Sequence, residues 1–397
     1  MEISLRPISA VNSSLGLVVS DVEPGDTVRV KVETTDATGR SWGSESEFSA
    51  NAEGMVDIDA ALPHSAAWEP ANSLGCLWAM NPERTDSFVL SGDTPVSVEL
   101  KIRSSKEGRG AHAQRTVARN VDEFNHPKQH ATGFIKKGEK PLPLVVLFND
   151  AGLPGATAGA ALLADMGLAV VAYDYSEAKK IDGIRKDIEE IRRADRILVG
   201  EPMAFIGIGK GAEIALIMAD RFGDAVGPVI AHNPPNHITP SLDDKPHDSW
   251  KDLDTQGTMP DKSDVKGRLR EASLKALPVN LHGLIEPTAG NELPLANIAG
   301  PVLVTAGTAD AVWDSESMAA SVVKDLEEND VQVFHMTYEH AGHGTGFPFS
   351  MPGVPCGTTA DLWGTRTDLG GSRMANSARS VDSMEQVTSM LSSYYGI

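Results

Sequence analysis

Cysteine is nearly missing from this chain: 397 residues carry two, Cys76 and Cys356. Two thiols build no disulfide framework and point to a reducing compartment, so a cytoplasmic protein is expected. Basic residues are also scarce, 35 against 55 acidic, for a formal charge of −20. A surface of that sign repels a polyanion, which argues against a nucleic-acid partner. No run reaches about 18 unbroken apolar residues, and the opening MEISLRPISA lacks the basic and apolar regions of a signal peptide. No membrane partner is expected. The sequence carries no mark of oligomeric state.

What is present divides in two, as the length of the chain leads one to expect. From Ile3 to about Arg119 short period-two runs recur, among them LGLVVSDV, DTVRVKVETTD, GMVDIDAAL, SFVLSG and PVSVELKIR, each bounded by Gly, Pro, Asp or Asn. This pattern predicts an antiparallel, immunoglobulin-like β-sandwich over 1–124. The polar, basic stretch over 125–141 ends on two prolines and reads as a linker. From 142 to 397 apolar strands such as LPLVVLF, LAVVAYDY, MAFIGIG, GPVIAH and GPVLVTAG alternate with helical segments. Continuous apolar strands separated by helices predict a mostly parallel, doubly wound sheet covered on both faces. A polar, proline-containing insertion over 233–298 follows a strand directly, where it would overhang the carboxyl ends as a lid.

The chemistry concentrates at three turns. In MAFIGIGKGAEIALIMADRF a strand, a tight Gly-rich turn and a helix succeed one another, the geometry in which G-x-S-x-G carries a nucleophile, but the apex is Gly209. Asp310, in GTADAVWDS, follows a later strand, and His343, in YEHAGHGTGF, follows the last one. Nucleophile, acid and base in that chain order are what acyl transfer on this architecture requires, the carboxylate fixing the imidazole tautomer and steadying its charge. Asp310 has a plainer role open to it as a helix cap, although Asp314 and Ser315 fit that better, and Asp314 competes for the acid role.

Several segments in order resemble the acyl-CoA thioesterase and bile acid-CoA:amino acid N-acyltransferase family. They are SWGSESEFSANAEGMVDID and NSLGCLWAMNPE in the first half, then LLADMGLAVVAYDY, GIGKGAEIALIMADRF, GTADAVWDS, AGHG and GGSRMANSARSVDSM. The resemblance implies an N-terminal β-sandwich followed by an α/β-hydrolase domain, a small-molecule acyl thioester as substrate, and no cofactor beyond the coenzyme A of that substrate. No metal is implied. The family's elbow reads G-x-S-K-G or G-x-C-K-G; this chain keeps Gly207, Lys210 and Gly211 and replaces only the reacting residue. Asp310 and His343 match the family's acid and base, and Lys210 N–H its oxyanion donor. The second donor loop reads NDAGLPG, which sets the side chains of Asn149 and Asp150 where an acyl oxyanion would sit.

Glycine offers no attacking atom, so no acyl-enzyme forms through residue 209. It also relieves the positive φ that strains a residue with a Cβ at an elbow, so the turn survives the exchange. Four readings follow: an engineered replacement, a protein that binds acyl thioesters without turning them over, a water activated directly by His343 in the vacated space, or a recruited biosynthetic hydrolysis or cyclisation. Cys76 and Cys356 read as incidental thiols. HPKQH reads as a solvated linker, IRKDIEEIRRADR as an exposed helix face, and KIRSSKEGRGAHAQR as a charged hairpin with coenzyme A phosphates as its alternative contact.

Overall fold

The computed structural model describes residues 1–65, 68, 72–92, 94–138, 140–150, 153, 155–178, 180–194, 196–239, 253, 262–285, 290–362 and 364–397. In the N-terminal region a five-stranded sheet faces a three-stranded one. Strand Thr27–Thr35 of the larger sheet buries Val28, Val30 and Val32 on alternate positions, as a pleated half-buried strand must. KIRSSKEGRGAHAQR is a hairpin between strands Val96–Arg103 and Gly108–Thr116. Ser41–Ser49, SWGSESEFS, is a further strand that composition hides: it is rich in Ser and Glu, yet it pairs along its whole length with Thr27–Thr35. SFVLSG forms no strand, because its backbone is used between regions. Phe88 N–H donates to the Pro355 carbonyl (3.0 Å), and the Val89 carbonyl accepts from Ala37 N–H (2.9 Å).

The second region is built on eight strands: β1 Val121–His126, β2 Ala131–Lys136, β3 Leu144–Phe148, β4 Ala169–Tyr173, β5 Met203–Ile208, β6 Val226–His232, β7 Val302–Gly307 and β8 Val333–Tyr338. They lie in the order β8-β7-β6-β5-β3-β4-β2-β1, parallel from β8 to β4 and antiparallel at β2 and β1. This is the expected doubly wound sheet, an α/β-hydrolase fold. Strands β3, β5, β6 and β7 are buried at every residue, which is why they read as unbroken apolar runs. One correction concerns the linker. Residues 125–141 contain the end of β1 and all of β2, so that stretch is the antiparallel margin of the sheet. Its polar look reflects an edge: β1 is exposed or half-buried throughout.

Among the described residues this region has six helices: α1 Ala156–Asp165, α2 Ile181–Arg192, α3 Lys210–Phe222, α4 Lys262–Lys275, α5 Ser315–Glu328 and α6 Arg373–Tyr395. Helix α2 buries Ile184, Ile188 and Ile191 at helical spacing and exposes its charges, as expected of IRKDIEEIRRADR. One apolar cluster joins α2 and α3 to one face of the sheet. The other runs from Val145 and Leu147 through α1 and Phe347–Met351 into the sandwich valines without a break. The two regions therefore share a core. Of the insertion over 233–298, residues 240–252, 254–261 and 286–289 lie outside the described residues, so its expected role as a lid does too.

Candidate active site

The elbow forms as expected between β5 and α3. Gly209 has φ 56° and ψ −123°, and its neighbours are glycines for lack of space: a Cβ on Gly207 would lie 2.2 Å from the Gly211 carbonyl oxygen, and one on Gly211 1.9 Å from that of Phe148. Helix α3 starts at Lys210, so its first N–H groups and the positive end of its dipole point at the turn.

The acid–base pair is assembled on the far side. Asp310 sits in the turn after β7, where Oδ1 accepts from Val312 N–H (2.7 Å) and Trp313 N–H (3.3 Å) and Oδ2 accepts from Ser315 Oγ–H. His343 Nδ1 lies 2.8 Å from Asp310 Oδ2, and the edge of Trp313 packs against the imidazole at a centroid distance of 4.8 Å. Asp314 drops out as the acid, because it caps α5 by accepting from Ser317 N–H (3.2 Å). Ser315, expected beside it as a cap, bonds the acid instead.

Asp150 comes from the turn after β3, and its carboxylate enters the elbow. Oδ2 lies 3.0 Å from His343 Nε2 and accepts from Lys210 N–H at 3.3 Å. A Cβ built on Gly209 would stand 2.2 Å from that oxygen and 2.6 Å from His343 Nε2. The space beside Gly209 is therefore filled by a carboxylate of the protein, which speaks against the reading, one of the four above, in which a water activated by His343 occupies it. The other candidates separate. Lys210 N–H points into the site, whereas Asn149 Nδ2 donates to the Leu153 carbonyl and its buried Oδ1 has no partner among the described residues.

His343 is fully buried between two carboxylates. Burial pulls its pKa down, but the charge of Asp310 and the hydrogen bonds to Asp150 and Asp310 outweigh it and raise the value to about 9. At neutral pH the ring is an imidazolium that donates Nδ1–H to Asp310 and Nε2–H to Asp150.

Residues that sequence reasoning missed hold this loop in place. Asn233, with φ 49° at the end of β6, donates to the His343 carbonyl (2.6 Å) and accepts from Gly307 N–H (2.9 Å) and Arg379 Nη1 (3.1 Å). Arg379 also donates to Gly342 O and Thr305 Oγ1, and Asn376 accepts from Gly342 N–H. The only signal for the last two was the segment GGSRMANSARS, which carried resemblance but no role.

Cys76 and Cys356 are buried and free, with burial pushing the first thiol up to about 12 and the second upward. Neither is a competent thiolate. A groove of about 1230 Å³ on the sandwich is lined by residues such as Trp42, Asn81 and Arg84, and no member of the acid–base site borders it. A second, about 330 Å³, is walled by Asn149, Asp150, Tyr173, Tyr175 and His130.

Residues 192–395 match the sequence profile described as "BAAT / Acyl-CoA thioester hydrolase C terminal", and residues 12–123 match "Acyl-CoA thioester hydrolase/BAAT N-terminal region". The chain belongs to this family. Mouse (Mus musculus) acyl-coenzyme A thioesterase 6 is 23% identical across 97% of this chain and 94% of its own. The mouse peroxisomal succinyl-coenzyme A thioesterase is 23% identical across 98% and 95%. Among solved structures, a puromycin-hydrolyzing peptidase of Mycobacterium tuberculosis superposes with TM-score 0.42 at 14% identity, over 92% of this chain and 53% of that one. No helix among the described residues is long and apolar enough to cross a membrane.

Proposed function

We propose that the protein hydrolyses acyl-CoA thioesters at the elbow between β5 and α3 without forming an acyl-enzyme on residue 209. The observation that carries this reading is the intact pair of Asp310 and His343, 2.8 Å apart, with Nε2 turned to the elbow. An acid–base pair held this tightly is what a thioesterase needs to manage the proton of a departing thiol or an attacking water. Names of relatives such as "Acyl-coenzyme A thioesterase 6" support the substrate class.

The test is release of free thiol from acetyl-, octanoyl- and palmitoyl-CoA by the natural chain and by His343→Ala. The natural chain is expected to release thiol, and His343→Ala to lose about 10⁴-fold in rate. A second reading, retention of an acyl thioester without turnover, is favoured by the complete burial of His343 beneath Asp150. Under it, palmitoyl-CoA binds in a calorimeter while neither protein releases thiol.

A further inference from the structure

We propose that Asp150 is the nucleophile of this site, supplied from the turn after β3 in place of the side chain that Gly209 lacks. The inference rests on the thioesterase reading and gives that reaction its missing attacking atom.

A side-chain oxygen carried by residue 209 would lie one bond beyond its Cβ, within reach of His343 Nε2 and of the N–H of residue 210. Asp150 Oδ2 occupies that place: 2.2 Å from the Cβ position, 3.0 Å from Nε2 and 3.3 Å from Lys210 N. The fit is reciprocal, because glycine at 209 makes room for the carboxylate and the carboxylate takes the space a side chain there would need. Asp150 is also the member of the site that reaches a cavity. It walls the 330 Å³ space at the carboxyl ends of β3 and β4, alongside Asn149, whose Oδ1 is a buried acceptor without a partner among the described residues. A ligand donor in that space would satisfy it.

Carboxylates act as covalent nucleophiles in enzymes, and a thioester is an activated acyl donor. Oδ2 attacks the acyl carbon, the carbon–sulfur bond breaks, and His343 Nε2–H passes its proton to the leaving sulfur. The product is a mixed anhydride between the acyl group and Asp150, with His343 neutral. His343 then takes a proton from water as the water oxygen attacks the acyl carbon. The anhydride C–O bond breaks, the Asp150 carboxylate and the imidazolium are restored, and the acid formed releases its proton to solvent. The dipole of α3 and Lys210 N–H stabilise the negative charge that moves through both steps.

The charged groups around the imidazole fit this order of events. Asp310 and Asp150 face its two nitrogens, and Arg379 lies behind the loop on the Gly342 carbonyl. The two carboxylates keep His343 protonated up to about pH 9, so it begins the cycle as an acid. Single-turnover thiol release is then expected to fall as pH rises through about 9. A water attacked by a neutral His343 from the outset would show a rate that rises toward that pH.

The decisive experiment mixes the natural chain with octanoyl-CoA and hydroxylamine and maps the product by peptide mass spectrometry, in parallel with Asp150→Asn. Expected are an aspartyl hydroxamate at Asp150, formed where hydroxylamine attacks the aspartyl carbonyl of the anhydride and octanoate leaves, and a loss of thiol release of about 1000-fold in Asp150→Asn, with octanoyl-CoA binding retained. Hydroxylamine trapping needs no variant, so it decides the matter even if Asp150→Asn folds poorly. Thiol release by Asp150→Asn or Asp150→Ala at or above the natural rate overturns the proposal and makes Asp150 a plug. An active natural chain with no hydroxamate and a rate that rises toward pH 9 overturns it too, while leaving the thioesterase reading standing. No thiol release and no octanoyl-CoA binding by any version removes both.

Discussion

The two halves of the candidate site are built to different standards of redundancy. On the acid–base side, Asp310 accepts three hydrogen bonds besides the imidazole, and the His343 loop is held by Asn233, Arg379 and Asn376. On the elbow side, the apex is glycine and a carboxylate from the turn after β3 fills the space beside it. The pair that handles protons depends on a buried network in which each member satisfies several others, so one change strands many groups. The attacking atom needs only to be in the right place, and an adjacent loop can deliver it.

Breaking the comparison on its rigid side has the largest expected effect. Arg379→Leu leaves Asn233 Oδ1, Gly342 O and Thr305 Oγ1 without their charged donor, and urea unfolding is expected to show a loss of about 3–5 kcal/mol. A loss within about 0.5 kcal/mol would mean that the network is not what holds the His343 loop. On the adaptable side, Gly209→Ser alone meets Asp150 and His343 and forces a positive φ, at a cost of about 1–3 kcal/mol. In an Asp150→Ala background that cost is expected to shrink. A double-mutant cycle should report about 1–3 kcal/mol of coupling, and additivity would show that the two positions do not share one space.

The smallest effect sharpens the contrast through pH. His343 binds its proton more tightly folded than unfolded, so the stabilisation it brings is complete below about pH 6.5 and disappears by about pH 9. Between pH 7 and 8 stability is expected to fall by ~1 kcal/mol, and Asp150→Asn should flatten that slope. On the acid side the sign reverses. Burial lowers His232 to about 3 and His237 to about 4, so stability falls as pH drops below about 6.5 and the unfolded chain takes up their protons. Thermal melts across this range should peak near pH 6.5. Melts that keep rising to pH 9 would refute the raised value of His343.

Much of the frame was legible in the sequence because it rests on local chemistry. The buried strands announce themselves as apolar runs, α2 by its isoleucines at helical spacing, and the elbow by three glycines that only a strand-turn-helix of this tightness requires. Asp310 and His343 could be placed because each follows a strand of the parallel sheet, where ligands and catalytic groups gather. The rest was hidden for physical reasons. Strand β1 and the strand Ser41–Ser49 are polar in composition and exist through their pairing partners, a non-local term that a window of sequence does not contain. Asn233 and Arg379 are polar residues in unremarkable surroundings along the chain, and their burial follows from the packing of α6 against the ends of β6 and β7.

By itself, then, the sequence determined the two-region plan, the order of the chemistry along the chain, and the absence of an attacking atom at position 209, since these depend on residue type and spacing. Only the tertiary structure decided what fills the place that glycine leaves. Asp150 and His343 are 193 residues apart, and nothing local to either states that one carboxylate lies against the other's imidazole. Asp150 reaches the site because the parallel neighbours β3 and β5 bring the turn after Phe148 to the elbow after Ile208, and His343 reaches it on the loop that Asn233 and Arg379 hold.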